Sequence, residues 1–226
     1  MRRAAFLVII GLGGAAILIA LGIWQVQRLA WKQSVIADIQ ARIAADPVAL
    51  PADPDPARDA YRPVAVTGVI DTNYLRVLVS QKEAGAGYRI ITALSHPDGP
   101  ILLDRGFIPA DGTVPSAPRD PVPQTYIGNL QWPQETDSFT PAPDLAGNIW
   151  FARDVVAMAA VLGTRPILLV QRAPPATDQL LEPMPVDTAR IPNDHLQYAI
   201  TWFSLAAIWL AMSFYFVRRR APVSKG

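Results

Sequence analysis

Two uncharged apolar runs, each 20 residues long, constrain this chain of 226 residues more than any other feature. They cover residues 4–23 and 198–217. An α-helix rises about 1.5 Å per residue, so each run is long enough to cross the ~30 Å hydrocarbon layer of a bilayer. The chain as a whole is 51% hydrophobic. Without the two runs, its composition is ordinary for a soluble domain, and the sequence therefore predicts two transmembrane helices flanking one domain.

Charge is divided in the same way along the chain. Residues 33–192 carry 12 Lys and Arg against 18 Asp and Glu, a net charge of −6, whereas the two ends are basic. The whole chain has a net charge of +1, which gives no indication of a nucleic-acid partner. Arg218, Arg219 and Arg220 directly follow the second run, and positive flanks mark the cytoplasmic side of a span. We therefore expect both termini in the cytoplasm and the acidic domain on the other side, with lipid around the spans.

The first run is interpreted as an uncleaved anchor rather than a secretory signal. It is longer than the ~7–15-residue apolar region of a signal peptide, and no clean small-x-small cleavage site follows it. No Arg- and Ser-rich presequence precedes it, which favours a bacterial inner membrane over a mitochondrial precursor.

Between the runs, the pattern predicts a β-rich α+β domain. Helical periodicity continues from Trp24 to about residue 45, where Asp46 and Pro47 end it. Short runs rich in Val, Ile and Tyr then predict antiparallel strands, at 61–70, 75–81, 88–94, 101–108, 124–130 and 166–171. An Ala-rich segment, 153–163, ends on Gly163 and predicts one helix. The predicted divisions are an N-terminus (1–3), a span (4–25), a helical extension (26–46), the outer domain (47–190), a second span (194–217) and a basic tail (218–226).

No pattern in the domain indicates catalysis, and we predict that the protein is not an enzyme. Its single histidine, His96, lies in a turn sequence. The chain has no cysteine, which excludes disulfides, thiol nucleophiles and Cys-ligated metals. Nucleophile-elbow, zinc-protease, P-loop and dinucleotide-binding motifs are absent from the sequence.

The start of the second span carries a sharper signal. Pro192 stops the helix from beginning earlier, Asn193 or Asp194 can cap it, and His195 then lies in its first turn. An ionisable residue at that depth is a functional-site hypothesis. Tyr198 and Trp202 follow His195 at i+3 and i+7 on the same helix face.

An imidazole is a common axial ligand of haem iron, and aromatic rings along the helix can flank a porphyrin. Arg28 and Lys32, just outside the first span, can pair with propionates. Equally, Trp and Tyr concentrate at membrane interfaces, and basic side chains there extend to lipid phosphates. Composition favours this second interpretation for Arg28 and leaves both open for His195.

Four segments resemble the surfeit-locus family of cytochrome c oxidase assembly proteins. They are Gly22-Ile23-Trp24-Gln25-Val26-Gln27-Arg28, Tyr61-Arg62-Pro63-Val64 with Thr67-Gly68, Leu102-Leu103-Asp104-Arg105-Gly106-Phe107-Ile108-Pro109, and Pro192-Asn193-Asp194-His195 with Tyr198-Ala199 and Thr201-Trp202-Phe203. Their order and placement cover nearly the whole chain. The family usually has Asn-Arg-Gly-Trp where this chain has Asp104 to Phe107. Gly68, Asp104, Arg105, Gly106 and Tyr198 match hallmark positions whose roles we expect to be structural.

The resemblance implies a non-enzymatic role in maturing a haem a–copper oxidase, with haem a as the bound cofactor. It implies that His195 is the histidine ligand and Trp202 its nearby tryptophan, and that the oxidase catalytic subunit and the haem a synthase are partners. Met212, the methionine of the second span, lies 17 residues from His195, or ~25 Å along a helix, and cannot be a second ligand. Two alternatives are a cofactor-free scaffold for nascent oxidase subunits and, with less support, a tethered periplasmic enzyme.

Overall fold

The computed structural model describes residues 2–114, 122–175, 181–189 and 191–219, and the side chains from Ala5 onward. The chain divides into two compact units, a helical unit of residues 1–38 and 188–226 and a sheet unit of residues 39–187. The elements are α1 (Arg2–Ala44), β1 (Val48–Ala49), α2 (Pro56–Asp59), β2 (Pro63–Gly68), β3 (Ile70–Gln81), β4 (Gly85–Leu94), β5 (Ile101–Pro109), β6 (Gln124–Gln131), β7 (Ile149–Trp150), α3 (Val155–Leu162), β8 (Arg165–Gln171) and α4 (His195–Arg219).

The predicted architecture is confirmed. Helices α1 and α4 are both long and apolar enough to cross a membrane, and they flank a mixed-sheet domain, as expected of a two-span membrane protein. Helix α1 continues without a break to Ala44, as its periodicity predicts. Of the predicted basic tail, residues 220–226 lie outside the described part of the chain.

The eight strands form one sheet in the order β1-β2-β6-β8-β5-β4-β3-β7. The prediction of antiparallel strands is wrong for β5–β8, which pair in parallel. The pairs β1–β2 and β3–β7 are parallel as well, and β1 and β7 were not predicted. Strands β5 and β8 are separated in sequence by β6, β7 and α3, and a connection of this length permits parallel pairing. Strands β1 and β7 have two residues each, too few to show a periodic pattern.

The strand predicted over residues 61–70 is two strands. The chain changes pairing partner at Gly68 and Val69: β2 pairs with β6, and β3 pairs with β4. Val69 N donates to Ser95 Oγ (2.7 Å), and Ser95 N donates to Val69 O (2.9 Å). A Cβ on Gly68 would overlap the Ser95 carbonyl oxygen, so this close approach requires glycine.

Both faces of the sheet are buried, which explains the unbroken apolar runs of its central strands. On one face, Leu102 of β5 and Leu168 of β8 pack with Met158 of α3. On the other face, Leu103 and Leu169 pack in a second cluster. Helix α3 confirms the helix predicted from the Ala-rich segment, whereas the short helix α2 in the same domain was not predicted. The N-cap of α3 is Asp154, which accepts from Ala157 N (3.0 Å), and Gly163 ends it with φ +66°.

An ion cluster of two arginines and two carboxylates, centred on the buried Asp104, lies in the sheet unit. The Asp104 side chain is fully buried, accepts from Gly106 N (3.1 Å) and is ion-paired with Arg89, with Arg153 at 3.8 Å. Arg153 also bonds Glu135. Burial lowers the pKa of Arg89, and the charge of Asp104 offsets part of this effect. Burial acts to raise the pKa of Glu135, but bonds from Arg153 outweigh it, so that pKa is below its usual value.

Gly106 allows the segment around Leu181 and Glu182 to pair with β5. Its φ is +113°, and a Cβ there would overlap the Glu182 carbonyl oxygen. One residue further on, Phe107 N donates to Glu182 O (2.7 Å), and Glu182 N donates to Phe107 O (3.1 Å). Leu181 is buried with Ile90 and Ile108. The segment from residue 181 is therefore packed against the sheet unit, and the expected structural role of Gly106 has a physical cause.

Candidate functional site

Helices α1 and α4 pack side by side in antiparallel directions along a seam of small residues. Trp209 Nε1 donates to the backbone oxygen of Gly11 (3.0 Å), close to the start of α1 and the end of α4. A Cβ on Gly14 would come within 2.6 Å of the Trp209 ring, and one on Gly22 within 2.6 Å of the Phe203 ring. Without side chains at these positions the helix axes approach closely, which is how transmembrane helices associate in lipid.

The seam of α4 follows a spacing of four and three residues. Ala199 and Ala206 are buried, and His195, Trp202, Trp209 and Ser213 continue the pattern. The same spacing on α1 runs through Gly11, Ala15, Leu18, Gly22 and Gln25, all of which are buried except Leu18. The antiparallel pairing places the first residues of α1 and the last residues of α4 at the same end of the helix pair.

At the opposite end of the pair, His195 meets Gln25. His195 is the first residue of α4, as predicted, and its Nδ1 lies 2.8 Å from Gln25 Oε1. Gln25 is only 8% exposed, and His195 is half-buried. His195 Nε2 has no hydrogen-bond partner among the described residues. This end of the helix pair therefore presents a nitrogen donor whose ring is held by the other helix.

Of the two expected caps of α4, Asn193 does not act as one. Its Oδ1 is buried and has no partner within the described parts of the chain. The backbone oxygen of Asp194 accepts from Tyr198 N (3.2 Å), so the helical hydrogen-bond pattern begins directly before His195. Pro192 precedes both residues, outside the helix, as predicted.

The other predicted site residues surround the His195–Gln25 pair unevenly. Trp202 is half-buried in the seam, two turns beyond His195. Tyr198 is 55% exposed, and by its spacing it lies beside the seam. Arg28 follows Gln25 by one turn of α1, and its guanidinium lies 3.9 Å from the centre of the Trp31 ring. The structure brings His195 and Trp202 into the seam and leaves Tyr198 and Arg28 at its exposed border.

Gln25 is the site residue that the sequence reasoning missed. It is part of the segment Gly22 to Arg28, and it ends an apolar run as an uncharged polar residue. Polar side chains at helix–helix contacts in membranes hydrogen-bond across the interface, and this was an available signal. The sequence contains no information on which residue of α4 would lie opposite, 170 positions away.

The side chains at this site suit a metal ion whose coordination positions are mostly filled by a bound organic ring. Among the described residues, no group of three or more His, Cys, Asp or Glu side chains can hold a metal ion. One imidazole nitrogen, a half-buried indole and an exposed phenol instead fit a metal already held in a flat aromatic ring, such as an iron porphyrin. An arginine one turn away can pair with anionic substituents on such a ring.

A comparison with known families finds a match over most of the chain. The family model of the SURF1 family matches residues 12–207. The chain belongs to the SURF1 family. The match includes Gln25 and His195, α1 from residue 12 onward and α4 as far as residue 207.

Relatives within the SURF1 family come from animals and bacteria. Surfeit locus protein 1 of Xenopus tropicalis is 33% identical over 211 residues, covering 83% of this chain and 68% of the relative. The human protein of the same name is 32% identical over 213 residues, covering 83% and 69%. A SURF1-like protein of Rickettsia bellii is 30% identical over 219 residues, covering 93% and 89%.

The close packing of α1 against α4 in this SURF1 protein can be tested at Gly14. Replacing Gly14 with leucine should separate α1 from α4, because the new side chain meets the Trp209 ring. Gly13→Leu is the matched control, since a Cβ there meets nothing within 4 Å. The chain has no cysteine, and a Cβ on Gly11 would lie 2.9 Å from the Ser213 Cβ, so Gly11→Cys with Ser213→Cys can report helix proximity by oxidative cross-linking. We expect cross-linking to fall several-fold with Gly14→Leu and to persist with Gly13→Leu; equal yields would contradict the seam.

Proposed function

We propose that the protein is a membrane-bound assembly factor for a haem a–copper cytochrome c oxidase, and that it binds haem a as cargo through His195. Membership of the SURF1 family supports the assembly role. The observation that carries the proposal is the His195–Gln25 pair at 2.8 Å, which leaves Nε2 as a nitrogen donor at the end of the helix pair. The role is non-enzymatic: haem a enters and leaves without chemical change, and the partners are the haem a synthase and the oxidase catalytic subunit.

The roles of the surrounding residues follow from their chemistry. His195 Nε2 supplies an axial ligand to the iron, and Trp202 and Tyr198 offer aromatic surface to the macrocycle. Arg28, which is exposed, pairs with propionates. A carrier that gives iron a single protein ligand has one coordinate bond to break on transfer. Ligation by His195 alone therefore favours release to the oxidase.

The charge distribution supports an orientation. Arg218 and Arg219 lie in the last turn of α4, and positive flanks favour the cytoplasmic side. The antiparallel pairing places the start of α1 at the same end. We place the protein in a bacterial inner membrane, with both termini in the cytoplasm and the sheet unit in the periplasm. His195 then lies near the periplasmic face of that membrane.

The test is the visible absorption spectrum of the full chain, purified in detergent after coexpression with the haem a synthesis enzymes. We expect bound haem a in the wild type and a loss of at least tenfold with His195→Ala. His96→Ala is the matched control, because it removes the other histidine of the chain and lies in a turn of the sheet unit. A haem a spectrum that survives His195→Ala would overturn the ligand assignment. A colourless wild-type protein that still co-isolates with oxidase subunits would establish the cofactor-free scaffold instead.

A further inference from the structure

Gln25 is a buried amide in a helix pair whose other seam residues are mostly Gly, Ala and aromatic side chains. A buried side-chain amide costs free energy unless its polar atoms are hydrogen-bonded. Gln25 Oε1 lies 2.8 Å from Nδ1 of the His195 imidazole. A neutral imidazole has two tautomers, with the proton on Nδ1 or on Nε2. The contact therefore has a chemical consequence beyond packing.

A carboxamide oxygen accepts hydrogen bonds and cannot donate them. His195 Nδ1 must consequently carry the proton in this contact. A neutral imidazole has a single N–H, so Nε2 is left with its lone pair. The ring is also held in orientation, because Gln25 belongs to α1 and His195 to α4, and the two helices are locked by the seam.

We propose that Gln25 is the positioning residue of the site: it holds His195 in the Nδ1–H tautomer and aims Nε2 as the donor nitrogen for the iron of a porphyrin. This inference rests on the proposed function and adds a residue to it. Metal-binding histidines commonly donate their second N–H to a carboxylate or carbonyl oxygen, which fixes the tautomer and the ring orientation. Here the oxygen comes from a neutral amide.

The neutral partner has a consequence for cargo release. A carboxylate in the same place would pull the Nδ1 proton more strongly, increase the basicity of Nε2 and strengthen the bond to iron. An amide fixes the same tautomer with less effect on basicity. Gln25 therefore favours a ligand that is correctly aimed and still easily displaced, as a carrier requires.

The first test reads the tautomer without haem. The full chain is prepared in detergent micelles with ¹⁵N-labelled histidine, in a His96→Asn background so that His195 gives the only side-chain signals. We expect Nδ1 to be protonated and Nε2 to show the shift of an unprotonated nitrogen. Gln25→Leu should produce a mixture of His195 tautomers. Gln25→Glu, which keeps an oxygen acceptor at this position, should have the Nδ1–H tautomer, as the wild type does. Gln27→Leu, at an exposed position on the same helix, should leave the spectrum unchanged.

An Nε2–H tautomer in the wild type, or an unchanged spectrum in Gln25→Leu, would overturn the inference.

The second test uses the haem a-loaded protein. Gln25→Leu should weaken haem retention about 10–100-fold, the effect typical of losing such a hydrogen bond. It should also raise the midpoint potential of the bound iron, whereas Gln25→Glu should lower it.

The two proposals fail in different ways. If His195→Ala keeps haem a, the assignment of His195 as the ligand is wrong, whereas the tautomer spectrum of the haem-free protein still shows whether Gln25 sets the tautomer of His195. If His195→Ala loses haem a but Gln25→Leu matches the wild type in retention and potential, haem binding stands and the positioning role of Gln25 is wrong.

Discussion

Replacing Asp104 with alanine should lower the free energy of unfolding of the sheet unit by about 3–5 kcal/mol, the cost typical of removing one partner from a buried ion pair. The Asp104 side chain is fully buried, and the side chains of Arg89 and Arg153 are each 12% exposed. Alanine would leave two largely desolvated guanidinium groups with only Glu135 as a carboxylate partner in the cluster. It would also remove the acceptor of the Gly106 N–H.

Protease susceptibility of the full chain in detergent, measured against urea concentration, would report this loss. Asp98→Ala is the matched control, since the side chain of Asp98 is 59% exposed and lies 3.9 Å from His96. We expect that control to stay within about 0.5 kcal/mol of the wild type. Asp104→Asn should fall between the two, because an amide oxygen can still accept from Gly106 N. A loss below about 1 kcal/mol for Asp104→Ala would contradict an essential role for the cluster.

Replacing Gly106 with alanine should destabilise the sheet unit by more than backbone strain alone. Its φ of +113° costs a non-glycine residue about 1–3 kcal/mol. The added Cβ would also overlap the Glu182 carbonyl oxygen, a backbone atom that cannot rotate away. We therefore expect the paired hydrogen bonds between Phe107 and Glu182 to break.

Gly85→Ala separates the two causes of that loss. Gly85 has φ +78°, but a Cβ there meets nothing within 4 Å, so this variant carries strain without a clash. Urea-dependent proteolysis should show a clearly larger loss for Gly106→Ala. Amide hydrogen exchange should speed up at Phe107 and Glu182 in that variant only. Equal losses in the two variants would mean that the contact with Glu182 contributes nothing.

Local sequence patterns predicted most of the elements of this fold. The length of the apolar runs predicts the spans, and an uninterrupted periodicity predicts that α1 continues past the first span. Asp154 and Gly163 bound α3 for reasons of capping that operate within a few residues. The pairing of β5 with β8 was not predictable in this way, because it depends on the packing of α3 against both strands rather than on either strand alone.

The candidate site shows the same division between local and long-range information. His195, Tyr198, Trp202 and Arg28 were predicted from their positions within single helices, and the structure places His195 at the start of α4 as expected. Gln25 depends on the register between two helices. That register is set by shape, where Gly14 and Gly22 accept the rings of Trp209 and Phe203. The four-and-three spacing is visible in each helix, but it does not indicate which residue of α4 lies opposite Gln25.

The antiparallel pairing of α1 with α4 also determines when the site can exist during synthesis. Gln25 is translated 170 residues before His195, with the whole sheet unit between them. Until His195 is made, the nascent chain has the amide and lacks the imidazole. A chain that stops after residue 190 therefore has the complete sheet sequence and lacks His195. Under the proposed function, haem a could bind only after His195 has been translated.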